Sequence, residues 1–278
     1  MALKNLLVHI DDSHGSTTRI AAALALARTH NAHLTGLYVV GELSRSSFVE
    51  GLVPTEALLA QHRAHLERAE QLTARFRQTV EQAGIPVDCY IKRSPIGAIA
   101  ATIAGYARYT DLVILGQTDP DEPSQGGWHL PEQVVLDCGR PALIVPYKGL
   151  LPLFGERVMV AWNGGREAAR AVNDALPILK GARSVTVFSV NPPPVPKGQD
   201  PRFGLNIALY LARHGIDAEV QQVQARDIGK AILSHFSSTG MDLLVMGAYG
   251  HSRVRELLLG GVTRYILEYM KLPVFISH

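Results

Sequence analysis

The chain repeats itself. Asp111-Leu-Val-Ile-Leu-Gly116 returns as Asp242-Leu-Leu-Val-Met-Gly247, 131 positions later. Upstream of these, Ser94-Pro-Ile-Gly97 is answered by Arg226-Asp-Ile-Gly229, and downstream Pro141-Ala-Leu-Ile-Val145 by Pro273-Val-Phe-Ile-Ser277. Both lie at an offset of 132. The opening Leu6-Leu-Val-His-Ile10 is answered by Val158-Met-Val-Ala-Trp162, at 152. About twenty extra residues therefore lie in the first half, between its first apolar run and Gly97. Self-similarity of this kind sets the architecture before any local reading does. It predicts two homologous domains, residues 1–148 and 154–278, joined near the Gly- and Pro-containing stretch 148–155.

Each half alternates short apolar runs with helical stretches. The runs are residues 6–10, 34–40, 87–91, 112–115 and 142–146, then 158–162, 184–190, 218–223, 243–246 and 274–277. They lack two-residue alternation, as strands buried on both faces of a parallel sheet do. Between them, residues 16–30 are alanine-rich, and 55–83 form a long helix closed by Gly84 and Pro86. Residues 97–108, 132–138 and 262–270 complete the helices read here. Five strands with alternating helices per half predict a doubly wound, Rossmann-like α/β domain, made twice. In such folds ligands sit beyond the carboxyl ends of the strands, where the strand order reverses. The ends of the first and fourth strands are the places to search.

Composition excludes several classes. The chain of 278 residues is 47% hydrophobic and 19% charged, with a net charge of +2. It has the make-up of a globular protein, with no electrostatic case for nucleic acid. No apolar run approaches the ~18 residues of a membrane span. The first residues read as a strand rather than a leader. Two cysteines, Cys89 and Cys138, cannot build a disulfide framework, and reducing cytoplasm is the expected location.

After the second half's fourth strand the sequence runs Gly247-Ala-Tyr-Gly250-His-Ser-Arg-Val-Arg-Glu-Leu-Leu-Leu-Gly260-Gly261-Val-Thr263. Glycines at a strand end permit close backbone approach. Free amides at the next helix N-terminus then face an anion, aided by the helix dipole. His251, Ser252, Arg253 and Thr263 add side-chain donors. The pattern reads as a phosphate cradle.

That run resembles the ATP-binding motif of universal stress proteins: glycine, two residues, glycine, nine residues, glycine, then serine or threonine. The resemblance spans both halves, so the chain looks like a tandem member whose two domains form an intramolecular pseudo-dimer. It implies ATP, with or without magnesium, in the second domain. Gly247, Ala248, Gly250, His251, Ser252, Arg253, Gly260, Gly261, Val262 and Thr263 would take phosphates and ribose. Ala161, Trp162, Asn163 and Val190 would line the nucleoside side. It implies pairing of residues 141–146 with 273–277, and a cytoplasmic stress-response regulator acting through conformation or a protein partner, with no nucleic acid and no membrane. A homodimer of tandem chains is a further assembly it allows. Two positions depart from the pattern. Gly261 stands where the family has a hydroxyl residue, and Asn163 where ATP-binding members have aspartate; the first half has Asp11 there. These departures keep open a non-nucleotide binding module or an interaction scaffold.

The first half lacks the cradle. Asp119 takes the second glycine's place, Asp121 and Glu122 follow, and residues 128–131 replace the final glycines. Acidic groups there repel a triphosphate, so this half is expected to bind no ATP in the family manner. Asp11 and Asp12 resemble a receiver's acidic pair, but no third aspartate ends strand three. His62 and His65 share a helix face without a third metal ligand. His9 and His129 read as locally satisfied, and Cys89 and Cys138 as small buried groups. The segments 41–54 and 192–196 read as connectors beside the cleft. With no nucleophile–base set and no carboxylate cluster beside the glycines except Glu256, fast catalysis is not expected; slow ATP hydrolysis is the most the sequence supports.

Overall fold

A computed structural model describes residues 2–42, 55–121, 126–127, 129–149, 154–192, 204–248 and 261–278. They fall into two compact units, Leu3–Arg140 and Pro141–His278.

In the first unit the elements are β1 (Asn5–Ile10), α1 (Ser16–His30), β2 (His33–Glu42), α2 (Thr55–Gln82), β3 (Val87–Pro95), α3 (Ile99–Ala107), β4 (Leu112–Gly116) and α4 (Leu130–Cys138). The strand order is β3-β2-β1-β4, with every pairing parallel. The central strand shows why: Leu6, Leu7, Val8 and Ile10 are all buried, so both faces of β1 are covered. The outermost β3 instead alternates between half-buried and exposed over its first five residues.

The second unit contains β5 (Ala142–Val145), β6 (Arg157–Ala161), α5 (Arg166–Leu179), β7 (Ser184–Val190), α6 (Leu205–Arg213), β8 (Ala218–Val223), α7 (Ile228–Ser238), β9 (Leu243–Gly247), α8 (Gly261–Tyr269) and β10 (Val274–Ser277). Its order is β5-β10-β9-β6-β7-β8. All pairs are parallel except β5 with β10, where Ile144 opposes Val274 and Ala142 opposes Ile276. That antiparallel pairing is the one expected between residues 141–146 and 273–277.

The expected strands all form, and β3 extends four residues beyond its apolar run. Helices α5, α6 and α7 fill the connections that the sequence reading left without individual helices. Both units are doubly wound α/β arrangements, in which order reverses between β1 and β4, and between β6 and β9.

The repeated aspartate that opens the fourth strand of each half is a strand clamp. Asp111 Oδ2 accepts from the backbone N–H groups of Lys4 and Asn5 at 2.7 and 2.9 Å. Asp242 accepts from Gly155 and Arg157 at 2.8 and 2.9 Å. Each carboxylate fixes the start of the neighbouring first strand. This sets the register by which the opposite, carboxyl ends of the two strands come level.

Candidate functional site

The reversal point of the second unit lies at the ends of β6 and β9. Ala161 closes β6 and Gly247 closes β9, and Ala161 pairs with Met246. Trp162 continues the ladder for one bond, donating its N–H to Phe188 O at 2.8 Å. Side chains alternate along a strand, so Ala161 and Trp162 face opposite sides of the sheet. A Cβ on Gly204, at the start of α6, would stand 4.0 Å from Trp162 Cδ1. The indole thus borders the α6 side rather than joining Ala161. Asn163 is exposed, and its Oδ1 accepts from Gly165 N–H at 2.9 Å, shaping the turn into α5. Gly164, between them, has φ +75°, a conformation that suits glycine. Val190 ends β7, half-buried.

Gly247 is dictated by packing as well as by any ligand. A Cβ there would lie 2.5 Å from Ala168 N and from Glu167 C, the backbone of α5's first turn. No side chain can give way to relieve that contact. Ala248 is buried and donates its N–H to Ser277 O at 2.7 Å, while His278 Nδ1 lies 3.2 Å from Ala248 O. Helix α8 then begins at Gly261, with no acidic residue in its first turn. Among the described residues, nothing lies within 4 Å of where a Cβ on Gly261 would be. Val262 is half-buried, and Thr263 is buried. Helix α8 is held at close range by α7, where a Cβ on Gly229 would come 2.8 Å from Tyr265 Cδ1. Gly250, His251, Ser252, Arg253 and Gly260 lie outside the described residues.

The sequence reading missed Glu167. It is buried in the first turn of α5, its Cβ 2.9 Å from where a Cβ on Gly247 would be. Burial raises its carboxyl pKa, but Arg166 and its own backbone amide outweigh that and hold it below the usual value. Arg166 Nε donates to Glu167 Oε1 at 2.5 Å. An acid in a helix's first turn is a visible signal; its burial is not.

The matching point of the first unit, at the ends of β1 and β4, is built differently. Asp11 follows β1, as Asn163 follows β6. Its Oδ1 accepts from Ser13 Oγ at 2.6 Å, from Ser13 N–H at 3.1 Å and from Arg19 Nη2 at 2.6 Å. Arg19 is 2% exposed. A Cβ on Gly116, the end of β4, would collide with Arg19 Nη1. Burial alone would raise the Asp11 pKa; Arg19, His9 and the Ser13 hydroxyl more than reverse this, to about 2. His9 lies on β1 with Nδ1 3.7 Å from Asp11 Oδ2. Burial drives its pKa down to about 4, with Asp11 opposing and Arg19 assisting. It is therefore neutral at pH 7, and that approach is no ion pair.

Glu132, in the first turn of α4, is buried at the position matching Thr263, and its Oε1 is 3.5 Å from His129 Nδ1. A carboxylate thus already lies at the positive end of α4's dipole. Asp119 Oδ1 is used in a turn, accepting from Asp121 N–H at 2.9 Å. Among the described residues no three His, Cys, Asp or Glu side chains are grouped to hold a metal, and no helix is long and apolar enough to cross a membrane.

Two doubly wound units in tandem, each with its reversal point between a first and a fourth strand, define the class of protein. Known proteins show what it is similar to. The Universal stress protein family model matches residues 155–278. Over 98% of its length the chain is 25% identical to the universal stress protein Slr1230 of Synechocystis, covering 99% of that relative. A universal stress protein of Archaeoglobus fulgidus is similar in structure, with TM-score 0.75 and 18% identity, over 98% of this chain and 97% of that one. A putative universal stress protein of Pseudomonas aeruginosa follows at TM-score 0.66 and 17% identity, over 99% and 93%. The family match thus covers residues 155–278, and over its whole length the chain is similar to universal stress proteins, as two doubly wound units in tandem.

Proposed function

We propose that residues 154–278 bind an adenine nucleotide, ATP, at the carboxyl ends of β6 and β9, and that residues 1–148 carry no such ligand. One observation carries this reading: Gly247 and Ala248 lead from β9 towards a helix, α8, whose first turn is free of acid and opens on a glycine that no described residue obstructs. An N-terminus of that kind suits a phosphate. The first-turn amides and Thr263 would receive phosphate oxygens, with Gly250, His251, Ser252, Arg253 and Gly260 placed there by the motif. Ala161 and Val190 would border the nucleoside, and Asn163 would offer a neutral amide to the ribose. Magnesium would arrive on the phosphates. The role is regulatory: a cytoplasmic stress-response protein whose conformation or partner choice follows nucleotide occupancy, with hydrolysis slow at most.

One observation favours a second reading, a module for a non-nucleotide ligand or an interaction scaffold. The carboxamide oxygen of Asn163 is already engaged by Gly165 N–H. It brings no charge and only a remaining lone pair to a ribose hydroxyl.

The test is to heat-denature the purified full chain and identify released small molecules by mass spectrometry, with thermal shift in millimolar Mg-ATP beside it. About one adenine nucleotide per chain, or a raised Tm abolished by Gly260→Trp, supports the first reading. Neither signal leaves the second.

A further inference from the structure

The ends of β1 and β4 carry a feature that the tandem architecture does not require. At the offset of 152 that relates β1 to β6, Arg19 corresponds to Ala171 and Asp11 to Asn163. The burial patterns agree with this alignment: Ser16, Arg19, Ala23, Leu26 and Ala27 are buried in α1, as are Ala168, Ala171, Ala175, Ile178 and Leu179 in α5. One half thus puts a methyl group on this buried face, and the other a guanidinium. That guanidinium reaches the strand ends, binding Asp11 Oδ1 at 2.6 Å through Nη2 and lying over Gly116 through Nη1. It therefore stands at the point of strand-order reversal, where such folds receive their ligands. Nor is it a cheap filler, since Nε is buried without a hydrogen-bond partner.

We propose that Arg19 occupies the ligand cleft of the first unit from within, consuming Asp11 and covering Gly116, so that this half is closed by its own side chain rather than merely lacking a phosphate loop. The inference deepens the proposed one-site reading and rests on it for the class of ligand. With Arg19 removed, the residue after β1 keeps its bonds from Ser13 and regains acceptor capacity for a sugar hydroxyl. Glu132 and Asp119 remain, so the opened cleft suits an uncharged nucleoside and not a triphosphate. Adenosine is the probe.

Asp11→Asn with Arg19→Ala installs the second half's own pair, Asn163 and Ala171, and leaves no orphaned buried charge. Adenosine bound per full-length chain is counted by isothermal titration calorimetry and equilibrium dialysis, for wild type, D11N and D11N/R19A. The expected result is one further equivalent in D11N/R19A and none in D11N, which keeps the arginine. A folded D11N/R19A chain with the wild-type count overturns the proposal. Should that variant not fold, the reverse exchange, Asn163→Asp with Ala171→Arg, carries the arginine to the second unit. Lost nucleotide binding by a folded chain then supports the proposal, and retained binding overturns it. Failure of the one-site reading shows separately, as no nucleotide bound by wild type, because the double variant is scored by its gain over wild type.

Discussion

The ends of β1 and β4 and the ends of β6 and β9 are the same place in two copies of one fold, resolved in opposite ways. In the second unit the strand ends carry Ala161, Gly247 and Ala248, and the following helix opens on Gly261. In the first they carry a buried ion pair, Asp11 with Arg19, and the matching helix holds a buried glutamate in its first turn. The strand clamps at the other end, Asp111 and Asp242, are the same in both. The difference teaches that scaffold and site vary independently. The clamp and the two-sided apolar strands keep the sheet, while the positions beyond the strand ends are free to become a cleft or to be filled.

The largest effect expected from breaking this comparison is on the ion pair. Arg19→Ala leaves Asp11, 9% exposed, without its cation. Removing one partner of a buried pair costs about 3–5 kcal/mol. Urea denaturation of the full chain should show that loss, and D11N/R19A should recover part of it. A cost for Arg19→Ala near that of a surface substitution would mean the pair is solvated.

His9 gives the next effect, through pH. Its folded pKa of about 4 lies below the ordinary imidazole value of 6.5, so between these the unfolded chain binds more protons. Stability from this group is complete above pH 6.5 and is lost as pH falls towards 4, by up to about 3 kcal/mol. Asp11 adds a separate loss at lower pH, since its pKa of about 2 lies below the unfolded value of 3.8 and its contribution fades as pH falls through that range. In the second half Ala161 stands at the position of His9, so this acid sensitivity belongs to the first unit. Calorimetry at pH 7 and pH 5 should show the Tm of His9→Leu falling less than that of wild type.

Third comes Gly247→Ala. The added methyl group meets the backbone of Glu167 and Ala168, which can move only by shifting α5. Overpacking of this kind costs about 1–3 kcal/mol. Gly116→Ala meets the end of a side chain instead and should cost less, provided Arg19 swings aside. Equal Tm losses for the two variants would show that the backbone contact at Gly247 relaxes.

Much of the fold was legible in the sequence, because repeated motifs and continuous apolar runs are local signals. The ten strands were visible in that way, whereas the β5–β10 pairing came from the resemblance to a known family. The candidate site was legible only in part. The glycine spacing marked the end of β9, and the acids after Gly116 marked the first half as different. Arg19 was not visible: in a sequence it is one cation in an alanine-rich helix, which reads as solvent-facing. Its burial follows from a partner eight residues back, brought level by β1, and from a glycine ninety-seven residues on. Gly247 likewise read as a ligand glycine, whereas its contact with α5 depends on how closely that helix approaches. Contacts between elements that are distant in sequence leave no periodicity behind.

The smallest effect sharpens the comparison from the open side. Gly261 lacks the hydroxyl of the family motif, yet no described residue excludes a side chain there: among the described residues none lies within 4 Å of its Cβ position. Gly261 opens a helix, where serine is tolerated as well as glycine. Gly261→Ser should therefore change stability by no more than about 0.5 kcal/mol. If α8 receives phosphates, the new hydroxyl adds one donor to them. A net hydrogen bond of about 0.5–1.5 kcal/mol corresponds to roughly a 2- to 12-fold tighter Kd for Mg-ATP. Calorimetric titration of the two chains would read that change. The corresponding change in the first unit, Leu130→Ser, should leave the nucleotide count unaltered, since Glu132 already occupies that helix end. Tightening by the first substitution alone would place the phosphates at α8. An unchanged Kd with an unchanged Tm would place them elsewhere, because no described residue blocks the new hydroxyl.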